Sequence, residues 1–311
     1  MTRASDVVYQ AMQPTPQYAW PLLSARLGAE VWVKHENHTP IGAFKVRGGL
    51  VYADHLHRSA GEVAGIVTAT RGNHGQSIGF AARRYGLRAT VIVPVGNGRE
   101  KNAAMRALGV ELVEEGHDFQ AASEAAARIA QERDWHRMPS FHPLLVAGVA
   151  TYALELFRSA PPLDVVYVPV GLGSGACGVL AAREALGLRT EVVGVVSAAA
   201  PAYARSLAAG RLISHEATTA IADGMACRTP DPTALETLRD RIARVVTVTD
   251  AEVEAAMRAI FSDTHNVAEG AGAAAVAAAL QERDRIAGRR VAVVLTGGNV
   301  DADAFARVLV G

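Results

Sequence analysis

The sequence predicts an α/β protein with parallel sheets, divided into two lobes. Three observations carry this. The 311 residues are more than one ordinary domain holds and suit two. Short β-branched runs alternate with Ala-rich stretches along the chain. Several of those runs are apolar at every position, as in Val165-Val166-Tyr167-Val168-Pro169 and Val291-Ala292-Val293-Val294-Leu295. A strand that is apolar on both faces suits a parallel sheet covered by helices on both sides, joined by right-handed crossovers.

In chain order, strands are expected at 31–34, 65–68, 89–94, 111–114, 165–169, 191–196, 245–248 and 291–295. Helices are expected at 75–85, 100–108, 119–133, 147–157, 177–186, 250–263, 272–282 and 302–308. The longest uncharged stretch, 165–182, approaches the length of a membrane span, but Pro169 and four glycines interrupt it. It parses as a buried strand, a turn and a helix start. No internal repeat or low-complexity linker is present.

Composition narrows the function. Lys and Arg total 31, as do Asp and Glu, so the formal net charge is zero. Neither a basic footprint for nucleic acid nor a polybasic membrane patch is visible, which leaves a small molecule as the expected partner. The two cysteines, Cys177 and Cys227, form no CxxC pair, and the N-terminus is polar and mixed rather than signal-like. A soluble, cytoplasmic protein is expected.

Four motifs carry chemistry. In Gly42-Ala43-Phe44-Lys45-Val46-Arg47-Gly48, a lysine lies among small and apolar neighbours at an expected helix start. Desolvation, and the cation of Arg47 two residues on, would both lower its pKa and free an amine for a Schiff base. Alone, such a lysine is more often a surface residue. In Thr70-Arg71-Gly72-Asn73-His74-Gly75-Gln76, a turn links a strand to a helix. Backbone N–H groups and the helix dipole there suit an anion such as a substrate carboxylate, and Asn73 can donate to a phenolate oxygen. An ordinary strand-to-helix turn reads the same way.

Gly171-Leu172-Gly173-Ser174-Gly175-Ala176 follows the 165–169 run. Its alternating glycines form a nest of amides for a phosphate, with the Ser174 hydroxyl as a further donor. It also satisfies a loose dinucleotide fingerprint, but the next strand ends in Ser197-Ala198-Ala199 and lacks the ribose-binding acid, which demotes an oxidoreductase. Finally, Leu295-Thr296-Gly297-Gly298-Asn299 puts a hydroxyl at the carboxyl end of a buried strand, where ligands of such sheets gather.

In this order and spacing, the four motifs resemble the serine/threonine dehydratases, members of the tryptophan-synthase-β-like, fold type II pyridoxal-phosphate enzymes. The resemblance runs from Pro14-Thr15-Pro16 to Gly298-Asn299-Val300-Asp301 and takes in Lys34-His35-Glu36-Asn37, Ala222-Asp223-Gly224, Thr247-Val248-Thr249-Asp250 and Glu269-Gly270-Ala271-Gly272. It implies a small lobe of residues 50–140 inserted into a larger one formed by 1–49 and 141–311, with pyridoxal 5′-phosphate in the cleft. Lys45 would hold the cofactor covalently and serve as the catalytic base. Asn73 would bind the 3′-oxygen, Gly171, Leu172, Gly173, Ser174 and Gly175 the phosphate, and Thr296 the pyridine nitrogen, with Gly224 and Glu269 beside the ring. Thr70, Arg71, Gly72 and His74 would face the substrate. A hydroxyl at the ring nitrogen leaves the pyridine neutral, a weaker electron sink that favours rapid loss of the leaving group.

The implied activity is β-elimination from a 3-hydroxy amino acid of the threonine or serine type, giving a 2-oxo acid and ammonia, in a homodimer. Related substrates such as 3-hydroxyaspartate or phenylserine, and racemisation on the same cofactor, are the alternatives. Three departures bear on the choice. Arg71 stands where racemases of the family carry a serine base, and a permanently protonated guanidinium cannot replace it. Ser197 and Tyr203 stand where many relatives supply acidic ligands to a divalent cation, so no activating metal is expected. Gly148-Val149-Ala150 replaces a more polar segment near the substrate, which points to unusual specificity.

Overall fold

A computed structural model describes residues 2–59 and 63–311. Among these the strands, in chain order, are β1 (Gln17–Ala19), β2 (Glu30–His35), β3 (Gly65–Ala69), β4 (Arg88–Val93), β5 (Glu111–Glu114), β6 (His136–Arg137), β7 (Val165–Pro169), β8 (Glu191–Ser197), β9 (Arg244–Val248) and β10 (Arg290–Leu295). They form a six-stranded sheet, β1-β2-β10-β7-β8-β9, and a four-stranded sheet, β5-β4-β3-β6. All pairings are parallel except β1 with β2. No helix among the described residues is long and apolar enough to cross a membrane.

The doubly apolar strands do what their pattern dictates. Successive residues face opposite sides of a sheet. In the large sheet Val31, Val33, Val165, Tyr167, Val193, Val291 and Val293 join one core, which the Ala-rich helix Gly270–Gln281 covers. Val166, Val168, Val192, Ala292 and Val294 join another, under the helices Pro143–Ser159 and Ser174–Ala185. The small sheet divides likewise, with Ile66, Val91 and Val93 on one face and Val67, Ala69 and Ile92 on the other.

Every expected strand lies within one residue of an observed one, and every expected helix is present. The helix expected from 147 starts at Pro143, because His142 accepts a hydrogen bond from the Leu144 amide at 3.1 Å and proline suits the first turn. The helices Thr2–Tyr9, Pro21–Leu27, Ala202–Ala209 and Pro232–Arg239 and the short strands β1 and β6 were not anticipated. Nor was the full length of Lys45–Ser59, whose start holds two adjacent glycines, poor helix formers. Its backbone lies directly against the helix Pro143–Ser159: a Cβ on Gly148 would come within 2.2 Å of the Arg47 carbonyl oxygen.

That helix start is anchored by a buried ion network. The Arg47 guanidinium, fully buried, donates to Glu36 at 2.7 and 2.9 Å and to Glu155 at 2.6 and 3.0 Å. Lys34 reaches Glu155 and the Thr15 carbonyl, Tyr9 donates to Glu155, and Thr15 donates to Glu36. Arg47 therefore points away from Lys45 and is neutralised by two carboxylates, so it does not act on the lysine as its spacing in sequence suggested.

Removing one partner of such a network leaves an uncompensated buried charge. Arg47→Leu is expected to destabilise the chain by about 3–5 kcal/mol, read as a fall in the denaturant midpoint. A loss below about 1 kcal/mol, the size of an exposed ion pair, would show that the network does not anchor the helix.

Candidate active site

The motifs after β3, β7 and β10 lie at the carboxyl ends of their strands, as ligand-binding segments of parallel sheets do. Backbone hydrogen bonds stitch the lysine segment to the last of them. Phe44 N donates to Thr296 O at 3.0 Å, Gly298 N to Gly42 O at 2.9 Å, and Ala43 bridges Gly297. Lys45 thus enters the cleft beside Thr296, itself almost fully buried.

Lys45 Nζ lies 3.3 Å from Ser174 Oγ and 5.1 Å from the Phe44 ring centroid. It has no carboxylate partner among the described residues. It is partly accessible from the cleft, yet protein encloses it closely, and burial alone lowers its pKa to about 8. Ser174 opens the helix Ser174–Ala185 and is buried at the end of the glycine turn. The amides of Gly171, Leu172 and Gly173 donate to no group among the described residues, an arrangement open to an anion. Gly171 is apposed to Gly224: a Cβ on Gly171 would lie 2.4 Å from the Gly224 oxygen.

Asn73 is held from two sides. Its Nδ2 donates to Glu269 Oε1 at 2.5 Å, and its Oδ1 accepts from Asn299 Nδ2 at 2.8 Å. Asn73 retains a second amide hydrogen for a ligand. Glu269 is buried, which raises its carboxyl above the ordinary range, partly countered by Lys101. Lys101 is the residue that sequence reasoning missed. Its Nζ lies 2.6 Å from Asp223 Oδ2 and 3.5 Å from Glu269 Oε2, and its stem packs on Gly72. Burial opposes its charge, but Glu269 and Asp223 override that and keep it protonated. In sequence it belongs to Arg99-Glu100-Lys101, which reads as a solvated helix start.

The Thr70–Gln76 segment divides by role. Thr70 Oγ1 accepts from the Gly72 and Gly75 amides at 2.9 and 3.2 Å, so it shapes the turn. Arg71 Nε, His74 Nε2 and Gln76 Nε2 are buried without a hydrogen-bond partner among the described residues. Burial, with Lys45 nearby, pushes His74 down to about 3 and keeps it neutral. Three orphaned polar nitrogens on one segment, with His74 near the unpaired Lys45 amine, are what a site built for a polar ligand leaves open. By contrast, Gly148, Val149 and Ala150 lie in helix packing. Both cysteines are free, buried thiols pushed up to about 12. Ser197 Oγ accepts from the Ala199 amide, and no group of three or more His, Cys, Asp or Glu suited to a metal occurs among the described residues.

The profile of the family described as pyridoxal-phosphate dependent enzyme matches residues 8–297. An L-threonine ammonia-lyase from Thermotoga maritima is 34% identical over 289 residues, covering 93% of this chain and 72% of that protein. An L-threo-3-hydroxyaspartate ammonia-lyase from a Pseudomonas species is 31% identical over 298 residues, covering 96% of this chain and 93% of its own. Among solved structures, a threonine deaminase from T.th. superposes with a TM-score of 0.89 at 32% identity, over 96% of this chain and 97% of that one.

The unpaired amine gives a direct test. In the cofactor-free protein, acylation of Lys45, followed by peptide mass spectrometry, should rise with pH through a midpoint of about 8. A midpoint near the ordinary lysine value of about 10.4 would show that the amine is not desolvated.

Proposed function

Since the chain belongs to the pyridoxal-phosphate-dependent enzymes of the serine/threonine dehydratase family, we propose that it removes water and then ammonia from a 3-hydroxy amino acid of the threonine or serine type, yielding a 2-oxo acid. The observation that carries this reading is Lys45: a closely enclosed amine without a carboxylate partner among the described residues, its pKa lowered, beside the glycine turn.

The residues present fit the cofactor. Lys45 would hold its aldehyde carbon, and the 171–175 turn with the Ser174 hydroxyl its phosphate. Asn73 would hold the ring oxygen and Thr296 the ring nitrogen, with Gly224 and Glu269 beside the ring. Bound there, the cofactor supplies an electron sink that acidifies the Cα–H of an amino acid. Lys45 Nζ, released when the substrate's amino group takes its place on the aldehyde carbon, would take the Cα proton, and a pKa lowered to about 8 makes the freed amine a base near neutral pH. The segment 70–76 orients the substrate: the amides of Arg71, Asn73 and His74, which donate to no group among the described residues, and the Gln76 side chain offer donors to the α-carboxylate. The proton that Lys45 Nζ takes from Cα would return to the β-hydroxyl, which leaves as water, and the enamine product, once free, takes up water and is hydrolysed to the 2-oxo acid and ammonia. Residues 50–140 form the small lobe over the cleft, and the enzyme works as a cytoplasmic homodimer.

Arg71 favours a second reading of the substrate. Its Nε is unpartnered, and it adjoins the turn that would take the carboxylate. A guanidinium there suits a second carboxylate, as in 3-hydroxyaspartate. The same residue argues against racemisation, because it cannot take a proton from Cα.

A panel of threonine, serine, 3-hydroxyaspartate and phenylserine, assayed for 2-oxo acid and ammonia, tests the activity. Lys45→Ala should lower product formation by about 10²–10⁴-fold, and serine should yield no D-serine. Release of 2-oxo acid from none of the four, or D-serine as the main product, would sink the assignment. If Arg71 reads a second carboxylate, Arg71→Gln should raise KM for 3-hydroxyaspartate about tenfold more than KM for threonine. Equal effects on the two would refute that role.

A further inference from the structure

Two buried hydroxyls bond the glycine turn: Tyr152 Oη donates to the Gly175 carbonyl at 3.2 Å, at the start of the following helix, and Tyr203 holds the turn itself at Leu172. Tyr203, on the helix Ala202–Ala209, is almost fully buried, and its Oη donates to the Leu172 carbonyl at 2.9 Å. The same oxygen accepts the Asp231 N–H at 3.2 Å. An amide can only donate, so the single phenolic hydrogen is directed at Leu172. Asp231 in turn accepts from the Ala234 amide at 3.0 Å and caps the helix Pro232–Arg239. The turn is thus tied through Tyr203 to two helices.

A planar trans peptide points its C=O and N–H in opposite directions. Fixing the Leu172 carbonyl toward Tyr203 therefore fixes the Gly173 N–H away from it, toward the open side of the turn. Gly173 has φ +97°, which favours glycine, and a Cβ there would lie 2.8 Å from the Ala234 Cβ and 3.1 Å from Tyr203 Oη. No side chain fits between the turn and its support.

We propose that Tyr203 is a positioning residue for phosphate binding: its hydroxyl, by holding the Leu172 carbonyl, aims the turn's free amides at the cofactor's phosphate. This rests on the reading of 171–175 as the phosphate cradle. Tyr203 touches neither substrate nor cofactor and acts only through the backbone of the turn.

Binding to cofactor-free protein separates this role from general packing. Wild type and Tyr203→Phe are titrated with pyridoxal 5′-phosphate and with pyridoxal, which lacks the phosphate, and followed by absorbance. The variant should bind pyridoxal 5′-phosphate about tenfold more weakly and pyridoxal as wild type does. Unchanged affinity for both, or an equal loss for both, overturns the tether. Wild type that binds the two ligands equally well overturns the phosphate cradle, and the tether with it. Should Tyr203→Phe not fold, wild type alone decides. Inorganic phosphate should slow deuterium exchange at the Asp231 amide, and exchange there that phosphate does not alter overturns the proposal.

Discussion

The candidate site depends on how two neighbouring cations are treated. Lys45 and Arg47 lie two residues apart at the start of one helix; Arg47 is fully buried, and Lys45 is closely surrounded by protein while open to the cleft. Arg47 meets two carboxylates, and although burial works against its charge, Glu36 and Glu155 raise its pKa and hold it ionised. Lys45 meets none, and burial drives it toward the neutral amine. A buried charge survives only with hydrogen-bonded partners. The network also fixes geometry, since it joins the segment around Tyr9 and Thr15, strand β2 through Lys34, and the helix Pro143–Ser159 through Glu155. Arg47 anchors the first turn of the helix, and the reactive amine projects from two residues earlier, about half a turn away, where the chain turns into the cleft.

Much of this architecture could be read from the sequence because its signals are local. A run such as Val165-Val166-Tyr167-Val168-Pro169 declares itself a buried parallel strand, and a glycine turn directly after it declares a ligand-binding edge. The four motifs needed only their order and spacing to suggest one site, and the structure brings Lys45, Asn73, Ser174, Glu269 and Thr296 to one cleft. What stayed hidden depends on partners far away in sequence. Nothing near Arg47 indicates that Glu155, 108 positions on, will neutralise it. Lys101 looks like part of a solvated helix face until Asp223 and Glu269 are brought to it. Tyr203 and Leu172 share no local pattern, so the support of the glycine turn was invisible. The helix Lys45–Ser59 was underestimated for the same reason: with Gly48 and Gly49 in its first turns, packing rather than propensity maintains it.

The contacts between the two sheets differ in kind around the cleft, and that difference bears on how the site works. Behind it, the helices Lys45–Ser59, Asn73–Tyr85 and Pro143–Ser159 pack through Val46, Leu50, Tyr52, Ile78, Ala81 and Leu145. At the mouth the contacts are polar. Lys101 reaches Asp223 and Glu269, Asn73 reaches Glu269 and Asn299, and the amides of Arg99 and Glu100 donate to Asp301 at 3.0 and 3.2 Å. Separating apolar surfaces exposes area at about 25 cal/mol per Å² with nothing in return. Polar groups released at the mouth regain water, so each net loss is only about 0.5–3 kcal/mol. Any relative motion of the sheets is therefore easiest at the mouth, pivoting on the packed helices. Lys45 is tied to the large sheet through the Phe44–Thr296 and Gly42–Gly298 backbone hydrogen bonds, whereas Asn73 and Lys101 follow β3 and β4 and lie on the small-sheet side that would swing. A substrate drawing donors from residues 70–76 and losing its proton to Lys45 would span both sides. Its binding would add to the polar contacts that hold the mouth shut, which couples water exclusion to correct placement of the reacting carbon.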